Sequence, residues 1–130
     1  MRKLLLNSSL FILGAIFLFS FFPLKDLLIG EWRNEKYGVE VIIFKKDNLY
    51  YGNVTEAGNE KGNEKLKKGP MQVLKNFKKT SDSTYCCGSI YLPKVGINIS
   101  SNILMNNSKT LTVTGYILGI KTESNWNRIE

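Results

Sequence analysis

From residue 27 onward the chain is built of short segments in which apolar and polar residues alternate. The clearest segment is 111–117, where Leu, Val, Gly and Ile occupy every second position and Thr or Tyr lies between them. A period of two places all the apolar side chains on one face of a β-strand, and that face is then buried. Turn-forming sequences such as Lys46-Asp47-Asn48 and Asn106-Asn107-Ser108 separate these segments, which gives about eight strands.

This pattern predicts an all-β domain over residues 27–130, with no helix after the N-terminal leader. Strands spaced by roughly 8–12 residues are typical of a sandwich or a barrel. Consecutive antiparallel pairing favours an up-and-down barrel, because closing the sheet removes its exposed edges. Segment 56–70 differs from the rest, since it is rich in Gly, Asn, Lys and Glu, and it is predicted to be a mobile surface loop.

The N-terminal segment has the composition of an export signal. Arg2 and Lys3 precede an apolar run over residues 10–22, which is shorter than the ~18 apolar residues expected of a spanning helix. Residues 1–22 are therefore predicted to form a hydrophobic leader helix. It is a signal peptide or, if uncleaved, a membrane anchor over residues 4–22, and a linker follows at 23–26. Both interpretations place the domain outside the cytoplasm, in the periplasm or secreted.

The two tryptophans lie in the first and last predicted strands. In each strand a second residue shares the face of the Trp: Gly30 with Trp32, and Arg128 with Trp126. A glycine leaves room for another group to approach closely. If the two strands are neighbours, the guanidinium of Arg128 can stack on the Trp32 ring, an interaction worth roughly 0.5–2 kcal/mol. These four residues are predicted to close one end of the barrel.

The amino-acid composition excludes several common types of catalytic site. The chain has no histidine, which excludes Ser-His-Asp and Cys-His nucleophile systems and histidine zinc sites. Its acidic residues are scattered, so no catalytic pair, metal site or cofactor is predicted, and the protein is not expected to be an enzyme. Cys86 and Cys87 are adjacent and point to opposite faces of a regular strand, so a bond between them is not expected. They are predicted to be half-buried strand residues or, alternatively, an intermolecular bridge or a reactive thiol.

The net charge of +7 is compatible with an anionic partner. Residues 60–80 contain seven lysines and only two glutamates. A solvated lysine-rich loop explains the same composition without any partner. Nucleic acid is not expected, because arginine and interleaved aromatic residues are scarce in this region. The candidates for contact with an anionic surface are Lys61, Lys65, Lys67 and Lys68.

If the barrel is hollow, its interior can hold one small apolar molecule. The candidates for lining such a cavity are Trp32, Val41, Ile43, Tyr51, Tyr91, Leu111, Val113 and Ile117. A barrel of this size is also commonly filled by its own side chains, in which case these residues form the core.

Three groups of residues, taken in order, carry a resemblance to a known family. They are Leu28-Ile29-Gly30-Glu31-Trp32, then 74–79 with Gly88-Ser89-Ile90-Tyr91-Leu92-Pro93, then 111–117 with Trp126-Asn127-Arg128. Over residues 27–130 the chain resembles the exported bacterial proteins of domain of unknown function 2147, a lipocalin-like family. The resemblance implies export and a calycin-type barrel, in which Gly30 and Trp32 of the first strand pack near Arg128 of the last. It implies no particular activity.

The leading hypothesis is an exported lipocalin-like protein that binds a small apolar ligand inside its barrel. The alternative is an envelope interaction module that uses the lysine-rich segment against an anionic surface or a partner protein. Membrane attachment is otherwise expected only through an uncleaved leader, and the sequence makes no prediction of the oligomeric state.

Overall fold

The computed structural model describes residues 26–129, which fold into one closed antiparallel barrel of eight strands. In chain order these are β1 (Gly30–Asn34), β2 (Glu40–Lys46), β3 (Leu49–Glu56), β4 (Gln72–Lys79), β5 (Thr84–Leu92), β6 (Ile97–Met105), β7 (Thr110–Ile117) and β8 (Ile120–Arg128). Each strand pairs with the next, and β8 returns to β1. The predicted up-and-down barrel is confirmed, whereas the leader at 1–22 and linker residues 23–25 lie outside the described residues.

Consecutive pairing sends successive connections to opposite ends of the barrel. One end, called here the N-terminal end, carries the entry segment 26–29, the turns at 47–48, 80–83 and 106–109, and the end of β8. The other, called the helix end, carries the connections 35–39, 57–71, 93–96 and 118–119. The position of a residue along its strand therefore decides which end of the barrel it can serve.

The barrel interior is filled by the protein's own side chains. Alternate strand residues point inward, and the largest of these side chains are almost fully buried. The Phe77 ring packs directly against the backbone of β5. A Cβ on Gly88 would lie 2.5 Å from this ring, closer than Cβ atoms approach other groups in proteins. The largest fully buried side chains are Trp32, Tyr50, Tyr85, Phe77, Leu28, Ile43, Leu111, Val41 and Val113.

A β-bulge in β5 brings the two cysteines together, so the prediction that Cys86 and Cys87 do not bond is wrong. They form a disulfide, and neither is free. On either side of them Tyr85 and Gly88 both point inward, so β5 carries one residue more than β6 over this interval. Cys87 has a φ of +68°. This left-handed backbone turns its side chain back towards Cys86, which a regular strand does not allow.

Segment 56–70 is not an irregular loop throughout, because α1 (Glu60–Lys68) lies within it. Asn59 caps the first turn, which contains an acidic residue, and the last turn contains three lysines, an arrangement that suits the helix dipole. The prediction failed because it equated low hydrophobicity with irregular structure. The helix buries no residue. The Asn63 side chain ties it to the end of β3, because it donates a hydrogen bond to the Glu56 carboxylate and accepts one from the Ala57 N–H at 2.8 Å. No helix within residues 26–129 is long and apolar enough to span a bilayer.

We expect the purified protein to react with iodoacetamide only after reduction, because both of its cysteine sulfurs are held in one intramolecular bond. Mass spectrometry should find the peptide 80–94 lighter by two hydrogens than its reduced form, and a non-reducing gel should show no disulfide-linked dimer. Cys86→Ser is the control, since it frees Cys87 for immediate alkylation. Alkylation of the unreduced wild-type protein would contradict the vicinal bond.

Candidate functional site

The N-terminal end is closed by the entry segment 26–29, which crosses the mouth of the barrel before β1 begins. Leu28 points inward and is fully buried. The indole Nε1 of Trp32 donates a hydrogen bond to the Leu28 carbonyl at 2.9 Å, which fixes the segment against the core. Burial of a leucine side chain contributes roughly 1.5–3 kcal/mol to folding. The entry segment therefore belongs to the barrel and is not a free linker.

Arg128 joins three parts of the chain at this end. Its guanidinium lies over the Trp32 ring, with Cζ 4.3 Å from the ring centroid, which is the stack that the sequence suggests. Nε donates a hydrogen bond to the Ser108 carbonyl at 2.9 Å and Nη1 donates one to the Ile29 carbonyl at 3.2 Å. Nη2 donates to the Leu27 carbonyl. The planar fork of donors thus connects β8 to the entry segment and to the β6–β7 turn.

Gly30 makes this arrangement possible. Its φ is +145°, and a Cβ at this position would lie 2.5 Å from Nη1 of Arg128. The structure therefore brings Gly30, Trp32 and Arg128 together at the N-terminal end. It does not place Trp126 there: this residue lies farther along the barrel, opposite Asn34 of β1, where it is buried in the core.

Two buried tyrosines converge on Asp26 at the same end. The Tyr50 hydroxyl donates to one carboxylate oxygen, and the Tyr85 hydroxyl donates to the other at 3.4 Å. Burial, together with the neighbouring carboxylate, raises the pKa of Tyr50 well above its usual value of 10.0 and the pKa of Tyr85 to about 12. The sequence pattern places Asp26 in a linker and misses this cluster. No local signal marks it, because the two partners lie 24 and 59 residues away.

The contacts at this end of the barrel hold the entry segment to the strands. The raised pKa values keep both tyrosine hydroxyls protonated at neutral pH, so neither can serve as a base. In the part of the chain that the structure describes, no group of three or more His, Cys, Asp or Glu side chains converges as metal ligands do.

Five of the eight candidate ligand-lining residues lie in the packed core. Each is at most 2 % exposed and belongs to one cluster of buried apolar side chains. A molecule placed among them would have to displace side chains packed at the density of an organic crystal. The five are Trp32, Val41, Ile43, Leu111 and Val113.

The other three candidates are only partly buried. Tyr51 lies on the outer face, where its ring stacks on that of Phe44 with 5.8 Å between centroids. Tyr91 is half-buried, and Nζ of Lys75 lies 5.9 Å from its ring centroid. Ile117 ends β7 at the helix end. Two surface hollows, of about 340 and 260 Å³, are lined by residues other than the eight candidates.

The helix end carries the lysines expected to meet an anionic surface, all of them exposed on α1. The structure separates them from the remaining lysines of residues 60–80. Lys75 lies within β4, and Lys78 and Lys79 are at the far end of that strand, on the N-terminal end of the barrel. The expected single patch is therefore divided. The lysines of α1 are Lys61, Lys65, Lys67 and Lys68.

Exposed apolar side chains gather at the same helix end. Of the ten large apolar residues that are exposed within residues 26–129, six lie in its connections or in the strand ends beside them. Single exposed apolar residues are ordinary on protein surfaces, so what distinguishes these six is that they lie at one end of the barrel. The sequence pattern misses this group, because it assigns four of the six to turns or to a solvent face and gives Ile97 and Ile120 the same parity as buried residues of their strands. The six, called here the apolar rim, are Tyr37, Val95, Ile97, Tyr116, Leu118 and Ile120.

The β7–β8 hairpin extends past β1 at the helix end. β1 pairs with β8 only from Trp32 to Asn34, opposite Arg128 to Trp126. Within the described chain, residues 120–124 of β8 therefore pair with β7 alone, up to the pair of Ile117 with Ile120. Residues 120–123 are exposed on both faces of the strand. The tip of this hairpin thus projects beyond the packed barrel.

Comparison with known proteins agrees with this barrel. The sequence profile of the family described as "Uncharacterized protein conserved in bacteria (DUF2147)" matches residues 30–128. A solved structure described as a redesigned β-barrel is similar to the chain with a TM-score of 0.52 at 10% sequence identity, over 80% of this chain and 92% of that one. At this identity the similarity supports the fold alone. No curated protein sequence gives a significant match.

We expect Arg128→Ala to lower the free energy of unfolding by about 2–4 kcal/mol, because it removes the cation–π contact and the hydrogen bonds of a charged donor. Arg33→Ala is the matched control, since Arg33 is exposed and its ion pair with Glu40 should contribute less than about 1 kcal/mol. Urea titrations followed by tryptophan fluorescence compare the two. Equal losses would contradict the structural role of Arg128.

We expect the barrel to lose stability as the pH rises from 10 to 12. Tyrosines in the unfolded chain titrate near 10.0, whereas the folded-state pKa of Tyr85 is about 12 and that of Tyr50 is also raised. Between these values the unfolded chain has released protons that the folded chain still holds, so rising pH favours unfolding. Tyrosinate absorbance and thermal melts across this range check the prediction.

Asp26→Asn should move part of this titration to lower pH, because the carboxylate contributes to both shifts. The control Tyr116→Phe, at an exposed position, should leave the titration of Tyr50 and Tyr85 unchanged. Complete ionisation of the wild-type tyrosines near pH 10 in the folded protein would refute the cluster.

Proposed function

This chain belongs to the bacterial family of domain of unknown function 2147, and from that premise we propose that it is an exported interaction module of the cell envelope. It binds an anionic surface through the helix end of its barrel. Export rests on the basic and then apolar start of the sequence. A binding role is proposed in place of catalysis, because the chain has no histidine and its buried tyrosines are held protonated.

The observation that carries this proposal is α1, a helix that presents lysines and buries nothing. All three charged residues in its last turn are basic, and none of its side chains contributes to the core. Its composition is therefore not required by packing and is available for surface contact. A basic residue close to an anionic surface contributes about 1 kcal/mol to binding, an attraction that salt screens. The apolar rim lies at the same end and adds contact area that lysines alone lack.

The alternative, a small apolar ligand held inside the barrel, stays a prediction with less support. It requires fully buried side chains such as Trp32 and Phe77 to move aside. The inward glycines provide no spare volume, because a Cβ on Gly52 would already lie 2.9 Å from Leu74. A binding function at the surface requires no such rearrangement.

We expect the triple variant Lys65→Ala, Lys67→Ala and Lys68→Ala to bind a polyanion about 10–100-fold more weakly than the wild type at low salt, because three attractive charges are lost. Soluble polyphosphate, which presents the phosphate chemistry of an envelope surface, is titrated against the protein by fluorescence anisotropy at several NaCl concentrations. The variant should also show the weaker dependence on salt.

The matched control is the triple variant Lys46→Ala, Lys79→Ala and Lys109→Ala. It removes the same charge from exposed positions at the N-terminal end of the barrel. This variant should bind polyphosphate nearly as well as the wild type. If both triple variants lose the same affinity, binding follows net charge alone and the role proposed for α1 is wrong.

A further inference from the structure

The turn of the β7–β8 hairpin holds a leucine where neither the solvent nor the backbone favours one. Leu118 and Gly119 form the two-residue turn with φ of +50° and +78°. A positive φ at both turn residues is characteristic of a type I′ turn. This turn type favours Asn-Gly and related pairs, because both residues adopt a left-handed backbone conformation. A leucine in the left-handed region is disfavoured by contact of its Cβ with the backbone. Packing does not offset this cost, since Leu118 is 97 % exposed.

Other members of the apolar rim lie at the same end of the barrel as this hairpin tip. Ile120 follows the turn and is 68 % exposed, and Val95, in the neighbouring β5–β6 turn, is 63 % exposed. The tip of the β7–β8 hairpin is the part of the rim that extends past β1. The end of the barrel therefore presents several separate apolar projections.

Lysines flank these projections. Lys94 lies in the β5–β6 turn and Lys36 in the β1–β2 connection, with their Nζ atoms 5.8 and 5.3 Å from the Tyr37 ring centroid. Lys121 follows the hairpin turn and is paired with Glu123 at 3.0 Å. Exposed apolar side chains with lysines beside them suit the boundary between acyl chains and anionic headgroups in a lipid bilayer.

We propose that the helix end docks on the surface of an anionic lipid bilayer, and that Leu118 and Ile120 of the β7–β8 hairpin enter its acyl region. This rests on the proposed function and specifies its partner. The lysines of α1 supply the long-range attraction to the headgroups, while the hairpin tip supplies an apolar contact that salt does not screen.

A bilayer suits this surface better than a folded protein does. The exposed apolar residues lie on two hairpins and one loop, so a protein partner would need a surface shaped to all three. A fluid bilayer accepts several tips at once without preformed pockets. The same reasoning disfavours a second copy of this chain, whose helix end carries the same projections and the same lysines.

This contact is separate from any attachment made by residues 1–25. The chain enters the barrel at residue 26 on the N-terminal end, whereas Leu118 lies at the opposite end. A probe at position 118 therefore reports on the helix end even in the full chain.

The first experiment places a tryptophan at the hairpin tip. In the full chain, Leu118→Trp should show a blue-shifted emission with vesicles of equimolar phosphatidylglycerol and phosphatidylcholine, and quenching by brominated acyl chains. Leu104→Trp, at a 46 % exposed position on the barrel wall, is the control and should show neither change. The two native tryptophans are at most 5 % exposed and supply a constant background.

The second experiment separates docking from stability. Leu118→Asn creates the Asn-Gly sequence preferred by this turn, so the barrel should unfold at a higher urea concentration than the wild type. The same change should weaken the partition of the helix end into the mixed vesicles by about ten-fold, the effect of removing one buried leucine side chain. Leu104→Asn, the same substitution on the wall, should leave partition unchanged.

The outcomes distinguish the two proposals. Absence of a blue shift at position 118, with polyphosphate binding retained, overturns bilayer docking and leaves the anionic-surface function intact. Polyphosphate binding that does not depend on the lysines of α1 refutes the proposed function itself. Sedimentation that shows a dimer abolished by Leu118→Asn assigns the tip to self-association and also overturns docking. A blue shift confined to position 118, together with weaker partition of a more stable Leu118→Asn, supports it.

Discussion

Closure of this barrel depends on the guanidinium of Arg128. A sheet becomes a barrel only where its last strand meets its first, and here that seam is short, with backbone pairing from Glu31 to Glu35. The β7–β8 pair, in contrast, extends along both strands. Arg128 reinforces the short seam in two ways: it stacks on Trp32, and it donates hydrogen bonds to carbonyls of the entry segment and of the β6–β7 turn. One side chain thus holds together three segments that are distant in sequence.

The sealed N-terminal end has a consequence for function. With Leu28 inserted at that end and large aromatic side chains filling the interior, folding uses the volume in which a lipocalin-like protein would hold a ligand. Every buried side-chain nitrogen and oxygen among residues 26–129 has a hydrogen-bond partner. The surface features that packing does not explain lie at the helix end.

The sequence predicts the parts of this structure that follow from strand periodicity. Antiparallel strands with one buried face impose a period of two, so the eight strands can be recognised, and closure then makes the first and last of them neighbours. The meeting of Gly30, Trp32 and Arg128 follows from that adjacency. The Cys86–Cys87 bond does not, because a single left-handed residue in a bulge reverses the direction that alternation assigns to a side chain. The Asp26 cluster depends on tertiary contacts that no local pattern records.

The helix end was harder to predict for a different physical reason. Whether a strand residue is exposed depends on how far its hairpin extends past the neighbouring strand, and this is a property of register, not of composition. The signal that the sequence did carry is local: Leu-Gly at positions 118 and 119, where a two-residue hairpin turn favours Asn-Gly. Agreement between local preference and fold is the rule in stable proteins, and departures from it concentrate at functional sites. Leu118 is such a departure, because its left-handed backbone and its exposure are both unfavourable for a leucine, and this is the physical reason for proposing a function at this tip.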